Sequence, residues 1–309
     1  MTAMPGPSAP TMSTTARPAY AGRRAASLRL ALLCIFAGYT CARILEVSPA
    51  SIPHTAIVAL DVVSALAFAL VHGARHYGLR VILVFTAICS VIGNIVENVG
   101  VATGFPFGRY YFVELMGPKL LHVPILLGLA YIGMAYVAWN VASLILAPSR
   151  TSTARLHFLA IPALASVIMT AWDLAQDPVW ATVLHGWIWR DGGAWFGVPL
   201  SNYCGWLATV FSIYTLFALY LRFRAPRVLA SPGIPAARTA VLFYALCAAC
   251  NLLQILPRPD SALVADPTGK LWRVADITHA SALVSVLVMG SFVALALFRA
   301  PRPDGPFTV

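Results

Sequence analysis

Carboxylate side chains near the ends of apolar segments are the residues of this sequence best suited to chemistry. Asp173 and Asp177 are spaced i, i+4, so they share one face of a helix. Two such carboxylates in a poorly solvated site do not both ionise easily, so we expect one to keep a proton near neutral pH. The pair predicts a general acid beside a carboxylate that positions water or stabilises positive charge. Hydrated helix ends in the headgroup region are the alternative.

Aromatic residues surround these acids and a third one, Glu97. Six of the eight tryptophans fall within residues 172–206. An interfacial aromatic belt explains any one of them, whereas a cage of ring faces would stabilise a carbocation and accommodate a long polyene. With Glu97, Asp173 and Asp177 as catalytic candidates, the residues predicted to bind substrate are Asn98, Tyr110, Tyr111, Trp172, Trp195, Asn202 and Trp206.

The elements that must position these residues are apolar segments of membrane-spanning length. The chain is 60% hydrophobic and 10% charged, which excludes an ordinary soluble domain. We predict an all-α polytopic membrane bundle of about eight helices within one domain, residues 25–300, after a disordered tail (1–24) and before a short C-terminal tail (301–309). The predicted segments are roughly 28–45, 55–72, 79–99, 121–147, 157–176, 201–221, 239–256 and 277–298.

Charge placement predicts how the chain crosses the membrane. With the N-terminus inside, two-thirds of the 21 lysines and arginines fall on the inner side, so both termini are expected in the cytoplasm. The net charge of +10 then reflects this rule and contacts with anionic lipids, and it does not indicate a nucleic-acid partner. Five carboxylates fall at one outer depth in this arrangement: Asp61, Glu97, Asp173, Asp177 and Asp276.

Metal or redox chemistry finds little support in the sequence. His72 and His76 form a single HxxxH pair, and the other histidines are scattered singly. Iron-type membrane oxygenases need several histidine clusters, so we predict no metal site. The six cysteines lie in or at apolar runs and are expected to be small apolar residues without disulfides.

Several motifs occur in the order found in one known family. ENVGVATGFPFGRYYF, WDLAQDP, GWIW and GGAWFGVPLSNYCGW resemble the CruF-type carotenoid biosynthesis proteins, over roughly residues 90–210. Glu97 matches the acid before the TGxPFGxY loop of that family, and Asp173 and Asp177 match its DxxxDP motif. Trp195 stands where the family has tyrosine, and Tyr131 where it has tryptophan.

The resemblance implies an integral membrane hydratase of acyclic carotenoid ends, a cofactor-independent carbon–oxygen lyase of the hydro-lyase type. It would add water across the terminal double bond of a lycopene-type end and form a tertiary alcohol. Asp173 or Asp177 would protonate the alkene, and Glu97 would position the water. The expected location is a bacterial inner membrane, and the expected partners are a carotenoid, membrane lipids and other enzymes of the pathway.

Three other readings of the residues remain open. An isomerase or cyclase acting on an isoprenoid would use the same acids but lose a proton instead of capturing water. A proton-coupled carrier would also need membrane carboxylates, although its site is expected near mid-membrane. A non-catalytic scaffold of a pigment pathway would not need the acids at all.

Overall fold

The computed structural model describes residues 16–48, 51–146, 154–224, 234–256 and 262–299. Within these ranges, eight helices are long and apolar enough to cross a membrane, which confirms the predicted all-α polytopic bundle. The spans are Ala26–Val47, His54–His76, Leu79–Thr103, Ile125–Ile145, Phe158–Val183, Leu200–Arg224, Ala237–Ile255 and Val274–Arg299.

Nine α-helices build these spans in the described residues. Helix α1 begins at Ala16, inside the predicted tail, and residues 1–15 and 300–309 lie outside the described residues, so both tails stay predictions. The helices are α1 (Ala16–Val47), α2 (His54–His76), α3 (Leu79–Thr103), α4 (Ile125–Ile145), α5 (Ala154–Pro178), α6 (Leu200–Arg224), α7 (Ile234–Asn251), α8 (Val274–Leu283) and α9 (Gly290–Arg299).

Three of the spans contain a short segment of π-helix or 3-10 helix. A π-helical turn, Val179–Val183, continues α5, and another, Val284–Met289, joins α8 to α9. A 3-10 turn, Leu252–Ile255, continues α7. Such π-turns inside helices occur frequently at functional sites.

Helix α4 lies at the centre of the bundle. Its residues from Tyr131 to Leu144 are all buried, as expected for a helix that is apolar on every side. It contacts α2, α3, α5, α7 and α9. At Gly133 the helix approaches α2 so closely that an added Cβ would lie 2.8 Å from the Cβ of Ala65. Small residues of this kind let membrane helices approach each other without a hydrophobic driving force.

Among the described residues, six short strands lie in the loops between the helices, in three antiparallel pairs. One pair joins the two motif-bearing loops: β1 follows α3, β4 follows α5, and Tyr111 lies opposite Ile188. The strands are β1 (Tyr110–Phe112), β2 (Lys119–Leu120), β3 (Val123–Pro124), β4 (Trp187–Trp189), β5 (Leu263–Ala265) and β6 (Leu271–Arg273). This pairing fixes the loop after Glu97 against the loop after Asp177.

The cysteines behave as predicted. All six are free thiols distributed over the helices, and Cys89, Cys247 and Cys250 are buried. No disulfide therefore constrains the part of the chain that the structure describes.

Candidate active site

One cavity gathers the three acids that the sequence singled out. Glu97, Asp173 and Asp177 are only 4%, 5% and 1% exposed, and all three line it. The cavity has a volume of about 90 Å³, several times the minimum that a buried water molecule needs. Acidic groups so deeply buried in a membrane bundle are costly and indicate a functional site.

A single asparagine connects the two aspartates. Asp173 and Asp177 stand one helical turn apart on α5, and Asn202 lies in the first turn of α6. The Asn202 Nδ2 group donates to Asp173 Oδ2 at 3.2 Å and to Asp177 Oδ2 at 2.5 Å. Asp177 Oδ1 also accepts a hydrogen bond from Trp187 Nε1 at 2.7 Å. Asp177 thus has two donors, whereas Asp173 has one long contact.

Two phenol groups hold Glu97. The Tyr131 hydroxyl of α4 donates to Oε1 at 2.6 Å, and the Tyr110 hydroxyl of β1 donates to Oε2 at 2.5 Å. Burial, followed by the nearby charge of Glu97, raises the pKa of Tyr110, so its hydroxyl stays protonated and acts as the donor. Both Glu97 oxygens are therefore already occupied by hydrogen-bond donors.

Aromatic rings form a large part of the cavity lining. Tyr131 stacks on Trp206 with ring centroids 4.5 Å apart, and Trp180 lies parallel to Trp187 at 6.1 Å. Five of the six clustered tryptophans line the cavity: Trp172, Trp180, Trp187, Trp189 and Trp206. Ring faces attract cations, so this lining suits a positively charged intermediate. The position of the rings around the cavity favours this explanation over an interfacial aromatic belt.

The structure brings most, but not all, of the sequence candidates to this cavity. Glu97, Asp173 and Asp177 are joined there by Tyr110, Trp172, Asn202 and Trp206. Asn98, Tyr111 and Trp195 lie outside its lining. Asp61 and Asp276 are the other two acids predicted at the same depth. Asp61 lines the cavity, whereas Asp276 lies outside its lining and forms an exposed ion pair with Arg273.

Each of the three residues outside the cavity has a local reason for its position. Tyr111 is 41% exposed because side chains alternate along β1, and it contacts Arg190 instead. Asn98 follows Glu97 on α3 and so points elsewhere; it donates to Asn94 and accepts from the His122 backbone amide.

Trp195 compensates for a proline. Pro178 has no N–H, so the carbonyl of Leu174, four residues earlier, loses its usual helical donor. Trp195 Nε1 donates to that carbonyl at 3.2 Å. Trp195 thus fixes the end of the helix that carries both aspartates.

We therefore expect Trp195→Phe to destabilise the protein without changing its product. The substitution leaves a part-buried carbonyl unpaired, which costs about 1–3 kcal/mol. The midpoint of thermal unfolding of the detergent-solubilised protein should fall. Unchanged stability together with an altered product would instead identify Trp195 as a residue that contacts substrate.

A hairpin of β5 and β6 supports the loop that contains Trp195. Asp266 Oδ1 accepts hydrogen bonds from Thr268 and from the Lys270 amide, and Oδ2 accepts one from Trp272 Nε1 at 2.9 Å. The Trp272 ring contacts Phe196. Burial opposes the ionisation of Asp266, but these hydrogen bonds outweigh it and lower the pKa.

The lowered pKa of Asp266 predicts sensitivity to acid. A carboxylate with a depressed pKa stabilises the fold above its unfolded value, about 3.9, and this contribution disappears as the pH falls through the lower folded value. Asp266→Asn should therefore lower the unfolding temperature at pH 7, and the difference from wild type should shrink below about pH 4. A difference that stays constant across this range would contradict the assignment.

Metal-ligating residues do not gather in the part of the chain that the structure describes. No group of three or more His, Cys, Asp and Glu side chains among the described residues is arranged to hold a metal ion. His72 of the HxxxH pair shares a 2.6 Å hydrogen bond between its Nδ1 and the Tyr136 hydroxyl. Independence from metals and cofactors stays a prediction.

Arg43, Tyr131 and Gln176 are among the cavity-lining residues that the sequence did not predict. Tyr131 drew notice only as an aromatic replacement. Gln176 carries a detectable signal, since it stands three residues after Asp173 and so shares its helix face. Arg43 lies far away in the sequence, and its place depends on how α1 packs in the bundle.

Fold and site together define a polytopic membrane protein with a buried carboxylate site in an aromatic cavity. Comparison with known proteins identifies the family. The family model described as "Carotenoid biosynthesis protein" matches residues 55–263, and the chain belongs to this family. It is also 34% identical over 113 residues to the bisanhydrobacterioruberin hydratase of Haloarcula japonica. That match covers 36% of each protein, so the chain spans about a third of that relative. No solved structure matches the chain.

Proposed function

We propose that the chain is a carotenoid hydratase that adds water to the terminal double bond of an acyclic carotenoid end. The observation that carries the proposal is the pair Asp173 and Asp177, buried beside Glu97 in an aromatic cavity. Family membership supports a role in carotenoid biosynthesis, and the relative from Haloarcula japonica is named a hydratase. Hydration of a trisubstituted alkene needs a proton donor, an environment that tolerates a tertiary cation, and a water molecule.

Asp173 is the proposed proton donor. It has a single 3.2 Å contact with Asn202, whereas Asp177 has two closer donors. Hydrogen-bond donors stabilise the ionised form of a carboxylate. The pair therefore shares one proton, which resides on Asp173 and can pass to the alkene as a general acid.

The remaining groups stabilise the cation that protonation produces. Transfer of the proton to the less substituted carbon places the positive charge on the carbon bearing two methyl groups. The carboxylates of Asp177 and Glu97 and the faces of Trp206 and Tyr131 lie around the same cavity. Fixed negative groups and ring faces that need no reorganisation lower the energy of such a transition state.

The position of the acids near helix ends favours an enzyme over a carrier. Glu97 lies in the last two turns of α3, and Asp177 is the penultimate residue of α5. With both termini in the cytoplasm, as proposed from the charge bias, this end faces outward in a bacterial inner membrane. The end group of a carotenoid lying in the bilayer would meet both the acids and water there.

The proposed function is tested by the pigments of a lycopene-producing host that expresses the chain. Chromatography with mass detection should show a pigment that has gained the mass of one or two waters. Asp177→Asn, expressed in the same amount, should leave lycopene unchanged. A product of the same mass as lycopene would favour the isomerase or cyclase reading, and no product from any acyclic carotenoid would refute an enzymatic role.

A further inference from the structure

The cavity has a second group of polar lining residues besides Glu97, Asp173, Asp177 and Asn202. Arg43 of α1 and Asp61 of α2 line it, together with Gln176 of α5. Arg43 and Gln176 are 3% and 5% exposed. Polar groups buried to this degree normally have hydrogen-bond partners, and their absence requires an explanation.

A network behind this group fixes the orientation of Arg43 and Gln176. The Arg43 guanidinium forms a 2.5 Å ion pair from Nη1 to Glu46, and Nη2 lies 3.4 Å from Asn251 Oδ1. Gln176 Nε2 donates to the same Asn251 oxygen. Asn251 in turn donates to Ser285 Oγ at 2.9 Å. The two side chains are thus held by α7 and by the turn between α8 and α9.

Three polar atoms of this group remain without a partner among the described residues. They are Arg43 Nε, which is a donor, and Gln176 Oε1 and Asp61 Oδ1, which are acceptors. All three atoms are buried, and their residues border the same cavity. One donor and two acceptors match the hydrogen-bonding needs of a single water molecule, which donates twice and accepts from Arg43.

We propose that Arg43, Asp61 and Gln176 form the binding site of the water molecule that adds to the carotenoid. The inference rests on the proposed function, which it extends by naming where the oxygen comes from. Water held in this way gives both hydrogens to Gln176 and Asp61 and one lone pair to Arg43. Its second lone pair stays available to attack the cation.

Asp61 also completes the proton balance. The alkene takes a proton from Asp173 and forms a C–H bond, and the water oxygen then forms the C–O bond at the tertiary carbon. The oxonium product passes one proton to Asp61, which leaves a neutral tertiary alcohol. Asp173 ends ionised and Asp61 protonated, and proton exchange with the solvent restores both.

Glu97 is less suited to this task than the sequence led us to expect. Both of its carboxylate oxygens already accept hydrogen bonds from Tyr110 and Tyr131. Asp61 Oδ1, in contrast, has no donor among the described residues. The geometry therefore separates the roles: Glu97 supplies fixed charge, and Asp61 receives the proton of the water.

The test is hydration and deuterium exchange of lycopene by the purified full-length protein in D₂O. Asp61→Asn should reduce hydration about a hundredfold, the usual effect of losing a general base. The cation should still form, and it should then lose a proton back to Asp173. Recovered lycopene should therefore gain deuterium in its end groups at least as fast as with the wild type. Asp173→Asn should lower both hydration and exchange by about 10²–10⁴-fold.

Two further variants keep the result decisive. Gln176→Leu should show the same loss of hydration with exchange retained. This variant tests the water site even if Asp61→Asn does not accumulate in the membrane. Asp276→Asn is the matched control, because Asp276 is an exposed carboxylate outside the cavity. Variants that hydrate like wild type, or that lose hydration and exchange together, would overturn the water site alone. A wild type that hydrates no acyclic carotenoid would overturn the proposed function as well.

Discussion

Asp173→Asn is expected to lower the rate of hydration by about 10²–10⁴-fold, the range attributed to general acid catalysis. Asparagine has nearly the shape of aspartate but holds no transferable acidic proton. Because Asp173 has only one long hydrogen bond, to Asn202, the substitution should leave the fold and the unfolding temperature almost unchanged. Initial rates with lycopene and thermal unfolding in detergent measure the two effects separately.

Asp177→Asn should differ from Asp173→Asn in its effect on stability. If the new amide NH₂ group pointed toward Asn202, it would face the Asn202 Nδ2 donor, and the present 2.5 Å hydrogen bond would be lost. If the amide is turned the other way, it would face the Trp187 donor instead. Both activity and stability should fall. Equal stability losses for the two variants, or retained activity in Asp173→Asn, would contradict the assignment of the proton to Asp173.

Gly193→Ala is expected to disrupt the loop that ends at α6. An added Cβ would lie 2.0 Å from the carbonyl carbon of Val198 and 2.1 Å from its oxygen. The contact is with backbone, so no side chain can move aside. Trp195 and Val198 exchange backbone hydrogen bonds in this turn, and opening it would also withdraw Trp195 from Leu174. Overpacking of this kind costs about 1–3 kcal/mol or more.

Gly128→Ala is the matched control for this prediction. Gly128 lies in α4, and an added Cβ there would meet nothing within 4 Å. Alanine also favours helix more than glycine does, so stability should be unchanged or slightly higher. Thermal unfolding midpoints and hydration rates of both variants measure the effect. Gly193→Ala with the stability and activity of Gly128→Ala would contradict the loop's close packing.

The sequence was sufficient to predict the parts of the molecule that depend on local pattern. Continuous apolar runs bounded by proline, glycine and arginine predicted all eight spans, which the structure confirms. The i, i+4 spacing of Asp173 and Asp177 also predicted one shared helix face, and both line the cavity. In each case, neighbouring residues alone determine the outcome.

Features that depend on packing between distant segments could not be predicted from the sequence. Arg43 and Asn251 contact each other across 208 positions of sequence, and no local pattern brings them together. Depth alone placed Asp276 with the other acids, but its helix begins away from the cavity, and Arg273 pairs with it. Composition likewise marked Trp195 as a substrate residue, although its indole N–H contacts a carbonyl that Pro178 leaves unpaired.

The most direct test of the account is the reaction of the purified protein with lycopene in water enriched in ¹⁸O, without added metal, nucleotide or other cofactor. The account predicts a pigment heavier by one or two labelled waters, with ¹⁸O in the tertiary alcohol. Asp173→Asn should form it about 10²–10⁴-fold more slowly. Unlabelled oxygen in the product, or a wild-type protein that converts no acyclic carotenoid under these conditions, would contradict direct acid-catalysed hydration.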